Sequence, residues 1–169
     1  MDLAGHRESG NNRKTWDISK FGNDVAAVVN KLNLKKVVLI GHALGGYANL
    51  EAAKILGSRV VGIIGIETYQ RFEHGESAGR AEKFLQTFKD DFKGVMSGYA
   101  HDLFLQNADS ILVNKIAKKM ISSNPAITID IFRHLYRYNS ITAVKDLNLP
   151  FIAIVSDKFP PFEKEKKIS

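Results

Sequence analysis

The sequence contains no cysteine in 169 residues. That excludes a disulfide framework and any thiolate metal site, and it fits a reducing compartment, so a cytoplasmic location is expected. No apolar run approaches the roughly 20 residues that span a bilayer. Met1 to Arg7 has no apolar centre and does not read as a secretory signal. A His-x-x-x-His pair is missing, and neither a metal nor a cofactor is expected. The Gly-x-Gly-x-x-Gly spacing and a Walker lysine are also missing, which argues against a phosphate loop at Gly41, Gly45 and Gly46. There is no internal repeat and no low-complexity segment.

What remains is ordinary for one globular domain, with 44% hydrophobic and 25% charged residues. The net charge is +6, but the lysines and arginines are scattered. Their only dense run, Lys164-Glu165-Lys166-Lys167, is mixed in sign. This reads as a solvated surface, so neither nucleic acid nor membrane is expected as a partner.

Hydrophobic periodicity organises the chain. After a polar loop over Asp2 to Arg13, Asp17 is placed to cap a helix whose apolar face is Ile18, Phe21, Val25, Val28, Val29 and Leu32. Val37 to Ile40 is a short buried strand, and Tyr47 to Leu56 a helix ended by Gly57. Val60 to Ile66 is a continuous apolar strand, the pattern of a sheet covered on both faces. From Glu67 to about Leu147 the spacing is helical throughout: Phe84, Phe88 and Phe92; Leu112, Ile116 and Met120; then Ile127, Ile131 and Leu135. Pro150 introduces a third strand, Phe151 to Val155, followed by Ser156-Asp157. Strands alternating with helices predict a parallel α/β sheet, and a helical block between two strands predicts a cap over its carboxyl edge.

The most informative stretch is Val37-Val38-Leu39-Ile40-Gly41-His42-Ala43-Leu44-Gly45-Gly46. A β-branched run enters a glycine-flanked turn and a helix leaves it. This is the setting of the nucleophile elbow Gly-x-Ser-x-Gly, with Ala43 where the serine stands. The turn also fits a plain strand-to-helix junction that uses glycine for close packing.

Together these segments resemble the α/β-hydrolase family. Gly41-His42-Ala43-Leu44-Gly45-Gly46 resembles the Gly-His-Ser-x-Gly-Gly elbow. Asp2-Leu3-Ala4-Gly5-His6-Arg7-Glu8-Ser9 resembles the family loop Asp-x-x-Gly-x-Gly-x-Ser, with Arg7 at a glycine position. The helical block resembles the family's cap. The resemblance implies a partial α/β-hydrolase fold: a parallel sheet flanked by helices, with an inserted helical cap. Residues 1–69 and 148–162 would form the core, 70–147 the cap and 163–169 a charged tail. Compared with the family, the chain looks like the middle of a longer hydrolase.

The implied chemistry is hydrolysis of a carboxylic ester by a Ser-His-acid triad. Ala43 would hold the nucleophile position and the backbone N–H of Leu44 would be one oxyanion donor. Asp157, after the third strand, and Glu67, after the second, are the two candidates for the acid. His42 sits beside the nucleophile position and His6 at the pocket rim. Neither these nor His74, His101 and His134 are placed to act as the triad base. Phe84 and Phe88 either line an acyl pocket under the cap or pack the cap helices together. With no serine hydroxyl and no histidine after His134, the chain is expected to be inactive. The rival expectation is a non-catalytic small-molecule-binding or interaction protein built on the same fold. The expected ligand is a small-molecule ester or acid. Val37 to Ile40, with neither charge nor proline, is expected to form an exposed sheet edge through which the chain self-associates.

Overall fold

The computed structural model describes residues 1–69, 75–145 and 147–156. Asp157, His74 and the tail 163–169 lie outside the described residues. In chain order the elements are α1 (Ile18–Lys31), β1 (Val37–His42), α2 (Leu44–Leu56), β2 (Val60–Ile66), α3 (Ala78–Asp90), α4 (Phe92–Asp102), α5 (Ser110–Ile121), α6 (Pro125–Arg137), α7 (Ser140–Lys145) and β3 (Phe151–Ile154). A short 3-10 turn, Gly57–Arg59, links α2 to β2.

The strands form a parallel sheet in the order β1-β2-β3. Register aligns Ile40 with Ile64 and Ile64 with Ile152, and the next row on that face is His42, Ile66 and Ile154. The opposite face carries Leu39, Ile63 and Phe151 in one row and Gly41, Gly65 and Ala153 in another. Among the described residues β1 forms one edge of the sheet.

The described residues fall into two compact units. One joins Met1–Ile18 to Gly75–Tyr138, and the other takes the described residues of Ser19–His74 and Asn139–Ser169. The N-terminal loop thus groups with the helical block, and α7 with the sheet. This division differs at both ends from a cap spanning 70–147.

In the sheet unit, α2 packs on β1 and β2. Leu50, Ala53 and Leu56 are buried, and so are Ala48, Asn49 and Ala52, so the helix is covered over most of its circumference. Of the apolar face expected for α1, Ile18, Phe21 and Val29 are buried and Val25 is half-buried. Gly22 and Ala26 are also buried, whereas Val28 and Leu32 are exposed. Gly22 sits against α2. A Cβ there would lie 2.4 Å from the Cβ of Glu51 and 3.0 Å from the Ala52 nitrogen. The bare backbone at Gly22 lets α1 approach α2 closely at this point.

Among the described residues of the sheet, the two sides differ in exposure. Leu39 and Ile63, on the α2 side, are 7% and 1% exposed. On the other side Ile40 is 62% exposed, Ile152 and Ile154 are both 54%, and Ile66, on the central strand, is 37%. Among the described residues the continuous apolar composition of the strands is present, and these side chains remain exposed.

The helical unit is built on side-chain caps. Asp91 accepts the Gly94 N–H (2.9 Å), Asp109 the Ile111 N–H (2.8 Å) and Asn124 the Ile127 N–H (3.2 Å), with Pro125 in the first turn of α6. Asp91 also splits the Phe84-Phe88-Phe92 spacing between α3 and α4, where one continuous helix was expected. In α5 the buried positions are Val113 and Ala117, while Leu112 is exposed. Arg133 ties α6 to α3 through Glu82 (2.7 Å) and bonds Asp130 within its own helix (2.8 Å). Asp130 also accepts the Trp16 N–H (3.1 Å), and Gly5 lies against the Trp16 ring, which anchors the N-terminal loop to α6.

Gly22→Val is expected to destabilise the chain by about 2 kcal/mol, because the added branch overpacks a closed helix contact. Urea unfolding measures this. An unchanged midpoint would show that α1 and α2 are not in contact at Gly22.

Candidate active site

The elbow is a backbone construction. Gly41 lies near the end of β1 and Gly45 in the first turn of α2, and a Cβ on Gly41 would sit 2.4 Å from the Gly45 carbonyl carbon. Only glycine at position 41 lets the chain reverse so tightly from strand into helix. Between them Ala43 takes φ 47° and ψ −118°, a region that L-residues rarely occupy. Its N–H donates to the Ile66 carbonyl (3.0 Å), and its own carbonyl accepts from the Gly46 N–H (2.9 Å). The strained residue is thus held on both sides, and its side chain makes no capping bond to α2.

A second strand end braces the turn. The Thr68 hydroxyl, in a fully buried residue, lies 3.0 Å from the Ala43 carbonyl and 3.1 Å from that of Ile66. A Cβ on Gly46 would collide with the Thr68 side chain at 2.5 Å. The Tyr69 hydroxyl donates to the Gly46 carbonyl, while Gly65 leaves room for the Tyr69 ring. Tyr69 meets Tyr47 and Phe151 edge to face, at 6.2 and 6.0 Å between ring centroids. Burial, and then the neighbouring Tyr47 hydroxyl, push the Tyr69 hydroxyl well above the ordinary tyrosine range.

Glu67 lies at the same carboxyl edge of the sheet, with φ 50°. Its N–H donates to the Ile154 carbonyl (2.8 Å), and its carboxylate accepts the Ser156 N–H (2.6 Å). It is thus tied to the end of β3, immediately before Asp157. The structure brings Ala43, Leu44, Glu67 and Ser156 to one end of the sheet. Leu44 is the first residue of α2, where backbone N–H groups are free of helical partners. His42, the last residue of β1, is exposed.

The remaining candidates belong to the helical unit. His6 is exposed in the N-terminal loop, its Nδ1 3.2 Å from the Ala4 carbonyl oxygen. Arg7, at the family's glycine position, has φ 47°, the left-handed backbone that glycine favours. Phe88 is 1% exposed and packs against Phe84 (5.2 Å) and Phe132 (5.0 Å). Phe84 is half-buried and stacks on Tyr136 at 4.4 Å. Both rings serve the aromatic core of the helical unit, with Phe88 fully enclosed by it. Among the described residues no group of three or more His, Asp or Glu is placed to hold a metal ion. Nor is any described helix long and apolar enough to cross a membrane.

Thr68 and Tyr69 escaped sequence reading. They follow a strand with no periodic or motif signal, and their partners lie 25 and 23 residues away.

Comparison with known proteins identifies the architecture. No family model matches the chain. A stretch of 63 residues, 37% of the chain, is 32% identical to 17% of the dihydrolipoyllysine-residue acetyltransferase component of the acetoin cleaving system of Pseudomonas putida. Among solved structures, an esterase from Exiguobacterium antarcticum matches 96% of this chain and 64% of its own, with TM-score 0.81 and 18% identity. A bromoperoxidase from Bacillus anthracis matches 93% and 62%, with TM-score 0.79 and 14% identity. A thermophilic esterase from Thermogutta terrifontis matches 91% and 59%, with TM-score 0.74 and 21% identity. The chain has the α/β-hydrolase fold, one that ester hydrolases use, and it spans about 60% of the length of these structures.

Two outcomes follow from the elbow. Ala43→Gly should raise stability by about 1 kcal/mol, the reverse of an ordinary alanine-to-glycine change, because it releases a positive φ; thermal melting reads the sign. The folded Tyr69 keeps its proton to higher pH than the unfolded chain. Its contribution is therefore intact below the ordinary tyrosine pKa of 10.0 and is lost as pH rises beyond it. Tyr69→Phe should flatten the alkaline fall in stability, and an identical fall in both proteins would refute the assignment.

Proposed function

We propose that this chain carries the elbow and helical block of a carboxylic-ester hydrolase and does not itself turn over esters. The observation that carries the reading is Ala43. The strained strand-to-helix position that presents a serine hydroxyl in this fold presents a methyl group here.

The chemistry explains why that one atom matters. At a working elbow, serine Oγ attacks the ester carbonyl while a histidine takes its proton. The carbonyl oxygen becomes an oxyanion held by backbone N–H groups. The C–O bond to the alcohol breaks, and the alcohol leaves with the histidine's proton. Water then releases the acid by the same steps. A methyl group has no lone pair to start this sequence. The N–H of Leu44 remains available as a donor for a carbonyl or carboxylate oxygen, and Glu67 and Asp157 remain the candidates for the acid position. His42 is assigned to binding rather than to proton transfer, while Phe84 and Phe88 pack the aromatic core of the helical unit.

The partner in this reading is a small-molecule ester or the corresponding acid. The scatter of charge argues against nucleic acid and membranes, and the absence of cysteine favours the cytoplasm.

Purified chain should hydrolyse p-nitrophenyl acetate no faster than an unrelated protein of equal concentration. Activity that survives repurification would sink the proposal. A panel of carboxylic acids and esters should contain members that raise the melting temperature, as binding to the native state requires. A flat response across the panel would remove the ligand from this reading.

A further inference from the structure

A cleft of about 390 Å³ opens within the helical unit, where the end of the N-terminal loop lies against α6. None of its lining residues belongs to the elbow. Its walls include Lys14, Trp16, Ile127, Ile129, Asp130 and Arg133. The volume is within the range of small-molecule sites. The frame of the cleft is fixed. The Trp16 backbone N–H donates to Asp130 (3.1 Å), Gly5 lies against the indole, and the Arg13 guanidinium sits 5.4 Å from the ring centre. Trp16 is 4% exposed, so its ring is held in place by these neighbours.

The charges around it are unevenly engaged. Asp130 is occupied on both oxygens: Oδ1 accepts from Arg133 Nη1 (2.8 Å), while Oδ2 takes the Trp16 N–H and faces His134 Nε2 at 3.7 Å. Glu82, the other carboxylate of the cluster, accepts from Arg133 Nε (2.7 Å) and from Lys89 (3.3 Å). Among the described residues Arg133 Nη2 has no hydrogen-bond partner, and neither has the exposed Lys14 ammonium. We propose that this cleft binds a small monocarboxylic acid with an apolar body, its carboxylate accepting from Lys14 Nζ and Arg133 Nη2 and its hydrocarbon lying against Trp16, Ile127 and Ile129. Two cations with donors to offer call for an anion, and the planar guanidinium fork matches a carboxylate. An amine would meet Lys14 and Arg133 and find both carboxylates already taken. The indole and isoleucine walls favour an acid with an apolar body over inorganic phosphate or sulfate. This site is additional to the elbow and does not depend on what Ala43 does to turnover.

Trp16 is the chain's single tryptophan, so its fluorescence reads this cleft directly. Titration with hexanoate should give a saturable change with a dissociation constant on the order of 1 mM, and added salt should weaken it. Hexanamide and hexylamine, of the same length without the negative charge, should each bind at least about tenfold more weakly. Lys14→Gln should weaken hexanoate about threefold and Lys14→Glu at least about tenfold, with the helical circular dichroism kept, because the Lys14 ammonium is exposed and holds no bond within the described residues. No saturable change with hexanoate overturns the proposal. So does equal binding of hexanamide, or hexanoate binding that neither Lys14 variant weakens. An acid that raises the melting temperature while leaving Trp16 fluorescence unmoved would also overturn it, and would leave the ligand proposed for the elbow untouched. Loss of the fold in both variants would overturn it as well, since Lys14 would then be engaged within the chain.

Discussion

The contact on which the site depends is the approach of Gly41 to Gly45, backbone against backbone. No side chain fits there, so the strand reverses into α2 within a few residues and Ala43 is forced to positive φ. A residue in that region relaxes unless its surroundings hold it. Here the Ile66 carbonyl takes the Ala43 N–H, the Thr68 hydroxyl reaches the Ala43 carbonyl, and Tyr69 anchors the first turn of α2 through Gly46. The elbow is thus built jointly by the ends of β1 and β2. Glu67 fastens the same corner to β3 through Ser156.

What could be read from the sequence was what is local. The elbow was legible because its glycines, strand and helix are contiguous. The helical block was legible from its spacing, and the edge position of β1 from the family resemblance. What escaped reading depends on partners distant in the chain. Val28 and Leu32, on the apolar face of α1, are exposed although Ile18, Phe21 and Val29 beside them are buried, and the close approach of Gly22 to α2 left no hydropathy signal. Phe84, Phe88 and Phe92 keep perfect helical spacing, yet Asp91 starts a new helix between them because its carboxylate satisfies the Gly94 N–H. Thr68 and Tyr69 carry no pattern at all, and their importance appears only once the Gly46 region is folded against them.

The two faces of the sheet separate composition from environment. Valine and isoleucine runs report that strands are suited to burial, not that a layer lies over each side. On the α2 side Leu39 and Ile63 are buried, while on the other Ile40, Ile152 and Ile154 are exposed. The chain spans about 60% of the length of the solved structures it resembles. The full activity of an ester hydrolase is therefore not ascribed to it, and the reading rests on the one elbow it contains.

The central claim is that the elbow is formed and chemically silent at Ala43. Intact-mass spectrometry after incubation with a fluorophosphonate tests it most directly, because such reagents mark an activated hydroxyl stoichiometrically without requiring turnover. The account predicts the unmodified mass for the chain. A single adduct in good yield, mapped to any serine or threonine near the carboxyl edge of the sheet, would show a nucleophile elsewhere in the site and contradict it.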